Sequence, residues 1–227
     1  MELLYPNECP GCGVRTEQSL VCRSCFSSFR DADRTILTAE TPASTDHPIA
    51  LWIFEENAPV QKVMHQIKYG NRPWLGERVG FLLGQKLLSI NDPEISAVVV
   101  PVPLHPSRRF GRGYNQSEWI ARGVARRLAL PISKDALVRS RETRSQTTLS
   151  REERLDNVSD AFGTTTACLD GRIVILVDDT LTTGATLFAC AKVLVHAGAD
   201  RVVPCAAATA PLRAAMEPGV AIPVIAA

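Results

Sequence analysis

The sequence predicts an α/β protein, a parallel sheet flanked by helices, preceded by a small cysteine-bearing unit at the N-terminus. Three observations carry that prediction. Apolar runs at residues 97–100, 173–177 and 201–207, with a further candidate at 49–54, suit strands covered on both faces. Between and after them, apolar residues recur at helical spacing. Val60, Val63, Met64 and Ile67 form one such face, and Leu75, Val79, Leu82, Leu83 and Leu87 a second. Ile120, Val124 and Leu128 form a third, and Leu187, Cys190, Ala191, Leu194 and Val195 a fourth, with Gly198 as a stop signal. Thirdly, Cys9, Cys12, Cys22 and Cys25 make two C-x-x-C pairs nine residues apart, ahead of the first strand.

The bulk composition bounds what the chain can be. Its 227 residues suit one sizeable domain with an appendage. Residues 1–30 form the cysteine unit, 31–48 read as a polar linker with Pro42 and Pro48, and 49–227 form the main domain. Apolar residues make up 45%, enough for a core, and charged residues 22%. A net charge of +1 gives no global attraction to nucleic acid, so a basic surface must be local. No apolar run reaches the length of a membrane span, and residues 1–30 lack a basic stretch followed by an apolar one, so a cytoplasmic location is expected.

The four N-terminal cysteines point to a metal. Each C-x-x-C bends the backbone so that both thiolates face one point, and two pairs complete a tetrahedral site. Structural zinc (Zn) on Cys9, Cys12, Cys22 and Cys25 is the expectation, with iron in a rubredoxin-like site as the alternative. Disulfides are disfavoured in a cytoplasmic chain. A redox C-x-x-C is weaker still, because there are two pairs and neither opens a βαβ unit. Cys168, Cys190 and Cys205 are scattered and read as core fillers. His47, His65, His105 and His196 show no metal-ligand spacing.

The chemistry concentrates at residues 171–187, GRIVILVDDTLTTGATL. The strand expected at 173–177 is followed by Asp178 and Asp179, then by Thr180, Leu181, Thr182, Thr183, Gly184, Ala185 and Thr186, then by a helix. A helix N-terminus offers unpaired N–H groups and the positive end of the macrodipole, so this turn can hold a phosphate. Two adjacent carboxylates accept hydrogen bonds from neighbouring hydroxyls, and open α/β sheets bind ligands at this edge. A sugar diol on one side and a 5′-phosphate on the other describe a ribose phosphate.

Arginines surround that centre in the sequence. Arg108, Arg109 and Arg112 follow the 97–100 strand, a plausible polyphosphate contact because guanidinium groups pair well with phosphate oxygens. Asn115 and Glu118 have the spacing of an N-cap and capping box. Arg122, Arg126 and Arg127 flank the next helix as a basic patch or a solvated face. Arg139, Arg141 and Arg144 open a second charged segment, in which the polar stretch 140–148 suits a lid closing over a phosphorylated ligand. Ser150 and Glu153 fit another capping box. Lys68 and Arg72, between two helices, could reach the site, with a solvated loop as the favoured reading.

The 174–186 stretch resembles the phosphoribosyl diphosphate (PRPP) signature of type I phosphoribosyltransferases: four apolar residues, two acids, two apolar residues, two variable ones, then Gly-x-Thr. Thr180 departs, standing where an apolar residue is usual. The resemblance extends along nearly the whole chain. Leu3-Leu4-Tyr5-Pro6 before CPGCG, Ile67-Lys68-Tyr69, PVPLHPSRRFGRGYNQSEWIA, the run of Thr143, Gln146, Leu149, Arg154 and Asn157, and VDDTLTTGAT occur in the order seen in ComF family proteins. The resemblance implies a type I phosphoribosyltransferase-like fold with a zinc knuckle, linked to DNA uptake, natural competence or the use of external DNA. It implies PRPP with magnesium (Mg) as ligand, Asp178 and Asp179 on the ribose hydroxyls, and residues 182–186 on the 5′-phosphate. The arginine loop would face pyrophosphate, and 139–149 would be the hood. Thr182 stands where 6-oxopurine salvage enzymes carry an Asp, which disfavours hypoxanthine or guanine as acceptor, and Met1-Glu2 offers no N-terminal cysteine for glutamine chemistry. A glycosyltransferase and a non-catalytic adaptor that binds single-stranded DNA or a competence ATPase both remain open, although no aromatic stacking array is evident in the sequence.

Overall fold

The structure is a computed structural model and describes residues 8–16, 20–32, 41–88, 96–105, 110–139, 161–164 and 169–210. The elements run α1 (Arg23–Ser27), β1 (Ile49–Ile53), α2 (Pro59–Tyr69), α3 (Pro73–Lys86), β2 (Ala97–Pro101), α4 (Gln116–Leu128), β3 (Leu137–Arg139), β4 (Phe162–Thr164), β5 (Ile173–Leu181), α5 (Ala185–His196) and β6 (Arg201–Thr209).

β1, β6, β5 and β2 form one sheet in that order, and every neighbouring pair is parallel. Val99 sits opposite Ile175 and Val177 opposite Cys205, so β5 is paired on both sides. Its alternation divides the core. Ile175 and Val177 belong to the cluster under α2, α3 and α4, with Val63, Ile67, Leu75, Val79, Ile120 and Val124. Val174 and Leu176 belong to the opposite cluster, with Leu187, Cys190 and Leu194 of α5 and Leu137 and Phe162 of the β3–β4 pair. This is the expected sheet covered on both faces, and Cys190 and Cys205 are buried in it.

The cysteine unit shares the first of these cores. Cys9, Val21 and Cys25 are buried with Leu51, Trp52 and Val60. A Cβ on Gly11 would lie 3.0 Å from the Cys25 sulfur and 3.1 Å from the Pro59 side chain at the start of α2. Residues 41–48 run against β6: Thr45 bridges Val202, the Asp46 N–H donates to the Val202 carbonyl at 2.9 Å, and Arg201 grips the Asp46 carboxylate with two nitrogens.

Three local expectations change. β5 does not end before the acids but continues through Leu181, because Asp178, Thr180 and Leu181 still find ladder partners in Ala206, Ala208 and Thr209. Asn115 caps α4 by accepting from the Ser117 N–H at 3.1 Å, but Glu118 closes no box; its carboxylate pairs with Lys134 and Arg122. Between the arginine-rich helix and the central strand lies an unforeseen antiparallel pair, β3 with β4, whose strands are three residues each. The expected helix after Ser150 lies outside the described residues.

α3 and α4 approach almost backbone to backbone. α3 carries Gly76, Gly80 and Gly84 one turn apart, and α4 presents Gly123. A Cβ on Gly80 would fall 1.9 Å from the Ile120 carbonyl oxygen, and one on Gly123 would fall 2.0 Å from that of Glu77. Each helical glycine carries an entropic cost of about 1 kcal/mol relative to alanine. The close crossing offsets it by packing two helices over one short stretch of sheet. Gly80→Ala and Gly123→Ala are each expected to lower stability by at least about 2 kcal/mol, a fall in Tm of roughly 4–8 °C. Gly111→Ala, where nothing lies within 4 Å of the added carbon, should leave thermal denaturation unchanged; equal Tm values for all three variants and the parent would refute the account.

Candidate functional site

The carboxyl end of β5 opens into a cleft of about 260 Å³. α2 contributes Lys68 and Tyr69, the segment after β2 contributes Val102 to Leu104, and the start of α4 contributes Asn115, Gln116 and Ser117. Arg112, Arg139, Asp178, Asp179, Thr180 and Thr186 complete the lining. A smaller cavity adjoins it, lined among the described residues by Asp178 and residues 180–187, and the two share Asp178, Thr180 and Thr186.

Parallel strands deliver these groups to one edge, and short contacts fix their directions. The Asp178 Oδ1 atom accepts from the Ser117 hydroxyl at 2.9 Å and from the Asp179 N–H at 2.8 Å. Lys68 Nζ lies 3.1 Å from the Thr180 hydroxyl and 3.3 Å from Asp179 Oδ2. Asn115 donates to the Val102 carbonyl at 3.0 Å, and the Tyr114 hydroxyl donates to the Ile67 carbonyl at 2.5 Å, tying the C-terminus of α2 to the start of α4. Arg112 donates to Gln116 at 2.5 Å and sits 4.9 Å from the Tyr69 ring. Arg139 stands 5.2 Å from the Phe162 ring on the β3–β4 pair.

The turn between β5 and α5 is built for close approach. Gly184 occupies the N-cap at φ +80°, a conformation that side chains resist. Thr183 accepts from the Ala185 N–H at 3.4 Å, and the first turn of α5 has no acidic residue to compete for its N–H groups. The turn can therefore receive an anion.

Burial pushes the Asp178 carboxyl up, and the neighbouring charge of Asp179 adds to it, reaching about 7 against the opposing Asp179 N–H, Ser117 hydroxyl and Lys68. Glu118 goes the other way: burial is outweighed by Lys134 and Arg122, which hold it below the usual range. Burial also raises the Tyr114 phenol, consistent with its standing as a donor to Ile67.

Cys9, Cys12, Cys22 and Cys25 converge at the other end of α2, their sulfurs all within 4.8 Å of one another. Cys12 and Cys22 are 3.6 Å apart, close to the roughly 3.8 Å edge of a tetrahedron with metal–sulfur bonds of about 2.3 Å. The Cys22 N–H donates to the Cys9 sulfur and the Cys25 N–H to the Cys22 sulfur, the pattern that steadies thiolates. For Cys9, burial opposes ionisation, but N–H donors from Cys22, Gly11 and Cys12 outweigh it and bring the thiol to about 7. This donor set can hold a metal ion.

Of the residues singled out in the sequence, Asp178, Asp179, Thr180, Thr186, Arg112 and Arg139 meet in the cleft. Leu181, Thr182, Thr183, Gly184 and Ala185 line the adjoining turn cavity, with the Leu181 side chain in the core. Arg108, Arg109, Arg141 and Arg144 lie outside the described residues, as does the stretch 140–148. Sequence reasoning did not single out Ser117 or Tyr69, and weighed Lys68 but favoured a solvated loop; Lys68 is a cleft residue. Its signals were indirect: Lys68 falls in the Ile67-Lys68-Tyr69 segment of the resemblance, and Thr180, a hydroxyl in a place usually apolar, stands next to its ammonium. The fold also assembles aromatics that are scattered in the sequence. On α3 and α4, Arg78 lies 5.2 Å from the Trp74 ring, Arg122 lies 4.3 Å from that of Trp119, and Arg126 and Arg127 flank Phe81. No helix among the described residues is long and apolar enough to cross a membrane.

The chain is similar to several known proteins. A family model for the phosphoribosyl transferase domain matches residues 115–218. DNA utilization protein YhgH of Escherichia coli (strain K12) is 28% identical over 198 residues, covering 86% of this chain and 80% of that protein. Competence protein ComFC of Streptococcus pneumoniae (strain ATCC BAA-255 / R6) is 26% identical over 201 residues, covering 88% of this chain and 80% of its own. Among solved structures, a glutamine PRPP amidotransferase from B. subtilis matches with a TM-score of 0.40 at 23% identity, over 61% of this chain and 29% of that longer one. A phosphoribosyl transferase domain match over residues 115–218, a four-cysteine cluster, and relatives named for competence and DNA utilization support the resemblance to the ComF family.

Proposed function

We propose that the chain binds PRPP, or a related ribose 5-phosphate, at the end of β5 and serves DNA uptake or the use of external DNA. The observation that carries this reading is the pair of adjoining cavities sharing Asp178: an anion-receptive turn on one side, and a cleft with two carboxylates and three cations on the other. The turn at residues 182–186 takes the 5′-phosphate, Asp178 and Asp179 accept from the ribose hydroxyls, and Arg112 and Arg139 face the diphosphate. Such a site promotes loss of pyrophosphate from C1 as a nucleophile adds there, by positioning and charge stabilisation, with no nucleophilic side chain required. Magnesium bound with PRPP would neutralise the diphosphate, and the carboxylates and cleft oxygens of this chain suit a hard cation. Zinc is the metal proposed for Cys9, Cys12, Cys22 and Cys25.

A second reading has its own observation in the arginine-covered rings of Trp74, Phe81 and Trp119. Aromatic faces interleaved with cations suit single-stranded DNA, and a non-catalytic adaptor would use this face, or a surface for a competence ATPase, while the ribose-phosphate pocket regulates it.

The deciding experiment follows pyrophosphate release from PRPP and magnesium across a panel of bases and amines, with calorimetric binding beside it. Wild type should bind PRPP, and Asp178→Asn/Asp179→Asn should weaken binding at least about tenfold; unchanged binding in that variant would overturn the reading. Release dependent on one acceptor identifies a transferase, and binding without release favours the adaptor. Metal analysis of the purified chain should find about one zinc per four thiolates, and chelation should lower Tm, because the knuckle shares its core with β1 and α2. Iron, or no metal at all, would contradict the zinc assignment.

The raised Asp178 carboxyl makes a further prediction. Between the ordinary carboxylate range and about 7 the folded chain keeps a proton that the unfolded chain has lost, so stability falls as pH rises through that window. Asp178→Asn removes this loss. Its Tm should exceed that of wild type by a margin that widens from pH 5 to pH 8, reaching roughly 4 °C, while ligand binding is weakened. A margin that does not grow with pH would show that Asp178 is ionised throughout.

A further inference from the structure

Lys68 reaches the cleft from α2, an element far in sequence from the acids it meets. α2 is held by Val60, Val63, Met64 and Ile67, all buried. Its last turn is tied down by the Tyr114 hydroxyl on the Ile67 carbonyl, so Lys68 follows a fixed point. The ammonium then contacts Thr180 and Asp179, and its side chain stays 26% exposed against 9% for Asp179. An ammonium has three N–H donors. The Thr180 hydroxyl takes one, and Asp179 Oδ2 lies 3.3 Å from the charge as an ion pair without closing a hydrogen bond, which leaves N–H capacity for a ligand oxygen.

We infer that Lys68, held by Thr180 and Asp179 at the cleft wall, is a ligand-binding residue whose remaining N–H meets an anionic oxygen of the diphosphate end of the bound phosphoribosyl ligand. This rests on the reading of the cleft as a ribose-phosphate site and deepens it. The two cavities decide which end of the ligand Lys68 serves. The turn cavity, which takes the 5′-phosphate, is lined by Asp178 and residues 180–187 without Lys68. The cleft, which holds Lys68 with Arg112 and Arg139, takes what extends from C1. Thr180 thereby acquires a reason: a hydroxyl where an apolar residue is usual anchors a cation that an apolar residue would leave to Asp179 alone.

The test measures calorimetric affinity of the full-length, metal-loaded protein for three probes with magnesium: PRPP, inorganic pyrophosphate and ribose 5-phosphate. Lys68→Met should weaken PRPP and pyrophosphate by about tenfold or more, as for a charge-assisted hydrogen bond, and leave ribose 5-phosphate within about twofold. Thr180→Val should weaken the same two probes by a smaller factor, about three- to fivefold, and Lys68→Arg should recover part of the loss. Melting curves of each variant show that it is folded. Wild type that binds PRPP, with Lys68→Met weakening all three probes equally or none of them, would overturn the assignment while leaving the ribose-phosphate site intact. Wild type that binds none of the three would overturn both.

Discussion

Two carboxylates on consecutive residues of a buried strand are the constraint around which this molecule is arranged. Side by side in low-dielectric surroundings they repel, and either one unpartnered would be costly to keep ionised. The fold answers with a different partner for each. Asp178 takes the Ser117 hydroxyl from α4 and the backbone N–H of Asp179, and Asp179 takes the ammonium of Lys68 from α2. The compensation is incomplete for Asp178, whose carboxyl stands at about 7. An acid kept near neutrality and pointed at a cleft is poised to gain from donors that a ligand brings, which is the physical sense in which the site is destabilised without its occupant.

The helices on that side exist to deliver those partners. α3 and α4 cross so closely that Gly80 and Gly123 admit no Cβ, and this brings α4 down onto the sheet with Ser117 at its first turn. Tyr114 and Asn115, just ahead of it, reach the Ile67 and Val102 carbonyls, so α2, β2 and α4 are fastened to one another around the mouth of the cleft. The apolar packing that stabilises the sheet and the hydrogen bonds that aim the acids are thus carried by the same few residues.

Much of this was legible in the sequence, for reasons that differ by element. The four strands of the parallel sheet announce themselves because burial on both faces demands continuous apolar residues, and α2 because its apolar face repeats at 3.6 residues. The turn at residues 182–186 was legible because strand, acids, glycine and helix are contiguous. Lys68 was not, since it meets Thr180 across 112 positions, and no local pattern distinguishes it from any lysine at a helix end. The glycine crossing had a readable signal, Gly76, Gly80 and Gly84 at intervals of four, that a search for apolar periodicity passes over. β3 and β4 escaped because three-residue strands at the edges of a charged segment carry too few alternations to register. Trp74, Phe81 and Trp119, each beside an arginine, likewise lie on α3 and α4, whose packing against each other no apolar periodicity announces.

The cysteine knuckle and the cleft lie at opposite ends of α2, which couples the candidate metal site to the proposed ribose-phosphate site. Pro59, the first residue of the helix, lies against Gly11 and Cys25 of the knuckle, and Val60 is buried in the same core as Cys9 and Val21. The last turn carries Lys68 and Tyr69 into the cleft. An eleven-residue helix is too short to hold its position by intrinsic propensity, so its place depends on what grips its ends. Tyr114 grips one end through Ile67, and the knuckle grips the other. A metal held by the four cysteines would therefore do more than fold the knuckle: it would set the seat of α2, and with it the position of the ammonium that faces Asp179.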